Sequence, residues 1–266
     1  MDYQPKVWQD YTNDYHELAP DVCLQPYIQS YWFSYVTSSS MPDRIIPDLC
    51  SDLIVKLNPE LDVLQINVCG PSTHFFYSNS DQVTIYFGIR YYLGGMYPFF
   101  NQSFKGWKNQ FFELGMVEKE MMVALRDKLS GKHSLSELVK SADQYFLECL
   151  NRLSAKTVSV PIRMFIKNQP NLLSYAENTT RSLLSERSLQ RLFREETGLS
   201  PYEVFDILRF QHVYQELIKQ PDISHLDLVE KYGFFDQAHY TRKLKKMTGL
   251  TPQAIRRHVG ILQDKK

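Results

Sequence analysis

The side chains best placed to do chemistry come in two sets. Arg191 and Arg194 lie three residues apart, and Arg242 and Lys245 repeat that spacing 51 residues later. Each set shares its stretch with an apolar pair at i and i+4, Leu189 with Phe193 and Tyr240 with Leu244. On a helix this pattern turns the apolar pair inward and leaves the cations on another face. Such cations serve either as a solvated outer face or as a grip on a polyanion.

No catalytic set stands beside them. The chain has no Gly-x-Ser-x-Gly elbow and no glycine loop of the kind that cradles phosphate. Asp48 and Asp52 follow Pro47, where capping a turn is the expected role for a short carboxylate. Cys69 and His74 have poor spacing for a metal, so neither a metal nor a cofactor is expected, and the chain reads as a non-enzyme. The four cysteines form no Cys-x-x-Cys pair, and the expectation is buried, reduced thiols. Without a signal peptide or a long apolar run, the expected location is cytoplasmic, with no membrane partner. Tyr31, Trp32, Tyr35, Tyr86, Tyr91 and Tyr92 carry rings with polar tips. They suit either a pocket for a small amphipathic ligand or the core of a domain.

Two kinds of element must position these groups. Up to about residue 110 the chain reads as short strands: 27–36, 53–57, 63–68 and 83–89, with Asn58–Asp62 as a hairpin-like turn. From about 116 the period is helical, with 116–130 and 134–152 as amphipathic helices. The second opens at a capping-box signature, Ser134 to Glu137. Further on, Thr197-Gly198-Leu199-Ser200-Pro201 recurs as Thr248-Gly249-Leu250-Thr251-Pro252. Each copy reads as a helix capped by Ser185 or Asp236 and ended by glycine, followed by a helix opening on Ser-Pro or Thr-Pro. In the second copy a short helix at about 224–232 and Gly233 precede the basic helix. This is a helix-turn-helix plan, whose second helix enters a DNA major groove.

The fold class is therefore α+β in two domains. Residues 1–155 form a small β-barrel or sandwich with trailing helices at about 111–155. Residues 160–262 form an all-α domain with helix-turn-helix units at about 171–198 and 223–249. Charge divides the same way. Thirty Lys and Arg balance thirty Asp and Glu overall. From Val160 on there are 17 basic against 12 acidic residues, and before it 13 against 18. A neutral total thus hides an acidic first half and a basic second half, and does not exclude nucleic acid.

At this level of detail the C-terminal 100 residues resemble AraC-type transcriptional regulators. The resemblance rests on 187–201, and on 232–240 continuing through Arg242 and Lys245-Lys246 to Thr251-Pro252. Trp32, Pro47-Asp48, Gly70-Pro71 and 87–90 resemble a β-rich domain often found before that module, though Leu49 stands where glycine is usual. In the first unit Ser182 occupies the position of the turn glycine. The resemblance implies a sequence-specific transcription regulator that reads two adjacent major grooves. It implies DNA contacts by Arg187, Gln190, Arg191 and Arg194 in one recognition helix, and by Gln237, His239, Thr241 and Arg242 in the other. Lys245 and Lys246 would meet phosphates. Arginine can bind guanine, and glutamine adenine, through paired hydrogen bonds. Double-stranded DNA and the transcription machinery are the implied partners. A small effector at the N-terminal domain, and a second copy of the chain paired through 116–130 and 134–152, are further candidates. The alternative is a β-barrel ligand-binding protein whose helical module docks a protein.

Overall fold

The computed structural model describes residues 14–36, 43–78, 83–100, 102–152, 159–167, 174–176 and 184–257. Among the described residues eight strands come first: β1 (Asp14–Leu18), β2 (Ile28–Val36), β3 (Asp43–Ile45), β4 (Ser51–Leu57), β5 (Val63–Cys69), β6 (Phe76–Ser78), β7 (Thr84–Tyr91) and β8 (Phe111–Glu113). Six form one antiparallel sheet in the order β1-β2-β7-β4-β5-β8, and β3 pairs with β6 in a second, two-stranded sheet. β1 and β8 are edges, so the large sheet is open rather than a closed barrel. The hairpin between β4 and β5 turns at 58–62, where the Asn58 carboxamide accepts from the Asp62 backbone at 2.7 Å.

Alternation along the strands decides what each face does. Tyr31, Phe33, Leu53, Val55, Phe87 and Ile89 are fully buried on one face. They share a core with Leu125 of α2 (Lys119–Leu129) and Leu138 and Phe146 of α3 (Leu135–Arg152). A short α1 (Leu114–Val117) leads into α2. The trailing helices thus pack within their own chain. The opposite face is polar. Trp32 pairs across the sheet with Gly88, and Asp52 with Arg90. The indole covers Gly88, where any Cβ would overlap it. Its Nε1 donates to Asp52 Oδ1 at 2.7 Å, and Arg90 meets Asp52 at 3.3 Å and Glu17 at 3.4 Å.

The helical part begins with α4 (Val160–Lys167), which carries Pro161 in its first turn. Tyr175 and Ala176 are helical, and among the described residues the helices Glu186–Thr197, Pro201–Lys219, His225–Lys231 and Gln237–Thr248 follow. A further helix starts at 252. The helix expected before Ser185, with Ser182 at its turn, falls almost entirely outside the described residues.

A second core joins the helical part to the strand-rich part. It includes Leu189, Phe193, Phe205, Tyr240 and Leu244 of the helical part together with Ile46, Leu49 and Leu93 of the strand-rich part. Leu49 is 1% exposed and has φ +65°. The backbone at the Pro-Asp-Leu element therefore takes the left-handed conformation even without glycine. Burial of the leucine side chain in the shared core offsets a strain of about 1–2 kcal/mol.

The cysteines are free, and only Cys50 is buried; Cys23 is exposed, so burial does not extend to all four. No helix of the described residues is long and apolar enough to cross a membrane.

Candidate nucleic-acid interface

The two basic helices are built to one plan. In the first, the Ser185 side chain accepts from Ser188 N at 3.3 Å, and Gly198 ends the helix at φ +76°. In the second, the Asp236 side chain accepts from His239 N at 2.6 Å, and Gly249 ends it at φ +75°. Each side-chain cap satisfies a backbone N–H that the first turn leaves without a partner, and each left-handed glycine closes the last turn. After the first glycine, Ser200 and Glu203 form a capping box ahead of the 19-residue helix that links the units.

The inward pairs are buried as the spacing requires: Leu189, Phe193, Tyr240 and Leu244 are all at 1% exposure or less. The outward set is solvent-facing. Arg187, Arg191 and Arg194 are exposed on the first helix, with Gln190 half-buried and its amide 3.3 Å from Glu186 Oε1. Gln237, Arg242, Lys245 and Lys246 are exposed on the second, while Thr241 and His239 are half-buried. The His239 Nδ1 accepts from Phe235 N at 3.3 Å, which requires that nitrogen to be unprotonated. Burial, helped by Arg209 and Lys243, pushes its pKa below the usual histidine value. His239 therefore presents a neutral ring.

Three features have no simple trace in the sequence. Lys243 turns away from the exposed set and pairs with Asp206 of the linking helix. Asp206 also pairs with Arg209 at 2.8 Å, and the Arg209 guanidinium lies 4.4 Å from the Phe234 ring centre. This nearly buried triad pins the second basic helix onto the linker. Phe235 stands 90% exposed one residue ahead of the Asp236 cap. Leu226 of the short helix, an apolar residue, is 65% exposed. The only available signal for the triad was the i, i+3 spacing of Asp206 and Arg209.

The six aromatic candidates do not meet in one place. Tyr31 and Tyr91 are fully buried on the helix-facing side, where the Tyr31 hydroxyl donates to Asp143 at 2.8 Å, and Tyr35 packs against that same core. Trp32 and Tyr86 alternate onto the polar face, and Tyr92 lies just beyond the end of β7. Asp48 caps its own turn by accepting from Cys50 N at 2.9 Å. Among the described residues no group of three His, Cys, Asp or Glu could hold a metal.

Comparisons with known proteins follow this division. Residues 179–258 match a family described as a helix-turn-helix domain, and residues 16–113 match one described as a domain of unknown function, DUF6597. The HTH-type transcriptional regulator GlxA of Rhizobium meliloti is 31% identical over 77 residues, 29% of this chain and 24% of that protein. An uncharacterized transcriptional regulatory protein of Bacillus subtilis, YesN, is 34% identical over 73 residues, 27% of this chain and 20% of that protein. The chain thus spans about a quarter or less of the length of these curated relatives. Among solved structures, ToxT from Vibrio cholerae aligns over 96% of this chain and 98% of its own, at 11% identity and a TM-score of 0.40. The C-terminal part of this chain, residues 179–258, thus carries a helix-turn-helix domain similar to that of AraC-type regulators.

Proposed function

We propose that the protein is a sequence-specific transcription regulator that reads two successive major grooves of duplex DNA. The helices Glu186–Thr197 and Gln237–Thr248 are its recognition helices. One observation carries this reading. Two helices share the same cap, the same buried pair and the same outward cation positions, and both are fixed on one core. Helix-turn-helix units present the N-terminal part of the recognition helix to base edges. Arg187, Gln190 and Arg191 occupy that part of the first helix, and Gln237, His239, Thr241 and Arg242 that of the second. Arg194, Lys245 and Lys246 lie nearer the C-terminal ends, where they serve phosphates. The exposed Phe235 ring, beside the second helix start, offers an apolar contact to a thymine methyl.

Control by an effector belongs to the same reading. Trp32 and Tyr86 share the polar sheet face with the Arg90–Asp52 pair, which supplies charged groups that a small polar ligand needs.

The test is a salt titration of the full chain on duplex DNA. Six exposed candidate cations, Arg187, Arg191, Arg194, Arg242, Lys245 and Lys246, set the ceiling for phosphate contacts. If three to five of them displace counterions, log affinity falls against log salt with a slope of about −2.7 to −4.5. A flat titration, with binding to a protein partner instead, would favour the helical module as a protein-docking element.

A further inference from the structure

Both recognition helices end against the strand-rich domain, and at the same structural point. The carbonyl of Glu195, in the last turn of the first helix, accepts from Phe104 N at 2.8 Å, and the Glu195 carboxylate accepts from Ser103 Oγ at 2.8 Å. A Cβ at Gly198 would sit 2.8 Å from Phe104 O. Lys108 reaches Glu203, just past that cap, at 2.8 Å. The loop 103–108 is itself anchored, since Phe104 and Trp107 are buried in the core of the large sheet.

The second helix is met by the small sheet. The Arg44 guanidinium of β3 donates to Thr248 O, the last carbonyl of that helix. The Phe75 ring, just before β6, sits so close that a Cβ at Gly249 would lie 2.6 Å from it. Arg44 is held in turn by the Tyr77 hydroxyl at 2.8 Å, and its charge lies 5.4 Å from the Phe75 ring centre. A cation at a helix C-terminus is favoured by the helix dipole. Between the two grips, the Gln211 amide of the linking helix donates to Pro47 O at 2.7 Å, and Leu49 enters the shared core.

These contacts close on the C-terminal ends and leave Arg187, Arg191, Gln237 and Arg242 in solvent. They fix the helices without covering them. The second helix is packed on the shared core through Tyr240 and Leu244 and pinned to the linker at its middle through Lys243 and Asp206. The Arg44 contact adds a grip at its C-terminal end, where it restrains the tilt of the helix. We propose that Arg44 and the 103–108 loop are positioning elements. Through them the strand-rich domain sets the spacing and tilt of the two recognition helices, and so the half-site spacing the protein accepts. This inference rests on the DNA-reading function proposed above.

The test uses the full chain and a duplex carrying its two half-sites, with the separation between them changed by about 2 bp from one helical turn, and a duplex carrying one half-site. Wild type is expected to lose about tenfold in affinity on the altered spacing, the order of a mismatched base pair. Arg44→Ala is expected to lose less than about threefold there, to match wild type on the single half-site, and to regain spacing selectivity in Arg44→Lys, which restores the cation at the helix end. A spacing profile for Arg44→Ala identical to wild type overturns the inference, as does an equal loss on every duplex. If Arg44→Ala does not fold, Ser103→Ala, which removes one side-chain bond at the other grip, is judged by the same two criteria. Wild type that binds no duplex overturns the DNA reading and this inference with it. Wild type that binds but tolerates every spacing overturns the inference alone.

Discussion

Replacing Leu49 separates two effects that oppose each other at one residue. Leu49 is 1% exposed in the core shared by both parts of the chain, with φ +65°. Leu49→Ala keeps the left-handed backbone and removes the buried side chain, at about 2–5 kcal/mol. Leu49→Gly removes slightly more side chain and adds about 0.5–1 kcal/mol of unfolded-chain entropy. It also releases the left-handed strain, about 1–2 kcal/mol. The two variants should therefore both be destabilised, with glycine equal to alanine or better by up to about 1 kcal/mol. At an ordinary buried position glycine would be the worse of the two. Urea unfolding of the full chain, followed by tryptophan fluorescence, measures the order. A glycine variant less stable than the alanine variant by about 1 kcal/mol would refute the strain argument. An alanine variant within about 0.5 kcal/mol of wild type would refute the anchoring role of the side chain.

Other outcomes follow from the same geometry. Arg242→Ala should relax base preference at one position by about 1–3 kcal/mol, while Lys246→Ala weakens all sequences alike; binding to a panel of single-base operator variants distinguishes them, and identical behaviour would remove the second helix as a reader. Asp206→Ala leaves the buried Arg209 and Lys243 without their carboxylate and should cost about 3–5 kcal/mol in a denaturation assay; a loss under about 1 kcal/mol would show that the triad does not hold the helix. Burial, the largest cause, lowers the pKa of His212, His225 and His239, with nearby cations adding to it. The unfolded chain therefore takes up protons first as pH falls through the usual histidine value, so stability is full above about pH 6.5 and declines below it. Urea midpoints should be lower at pH about 5.5 than about 7.5, and His212→Gln should reduce the difference; a rising midpoint would reverse the sign of the argument.

Much of the helical part was legible because its signals are local. Ser185, Asp236, Gly198 and Gly249 cap helices through bonds to residues within four positions, so type and spacing suffice. The longer strands β2, β4, β5 and β7 were legible from β-branched and aromatic runs. β3, β6 and β8 are three residues each and exist only through their pairing, which no local pattern encodes. The grips of Arg44 on Thr248 and of Ser103 on Glu195 span 204 and 92 residues of sequence. Nothing near Arg44 marks it as other than a surface cation. Leu49 shows the reverse case. Its sequence position pointed to a turn that prefers glycine, and tertiary burial made leucine hold that turn. Apolar type does not report burial at Phe235 and Leu226, which stand exposed in the turn before Asp236 and on the helix His225–Lys231.

The central claim is that one chain reads two adjacent grooves, and a protection footprint on duplexes selected from a random pool tests it most directly. Two protected major-groove windows are expected on one face of the DNA, about 10–10.5 bp apart centre to centre, both fading as salt rises. A single window, or no protection at low salt, would contradict that claim.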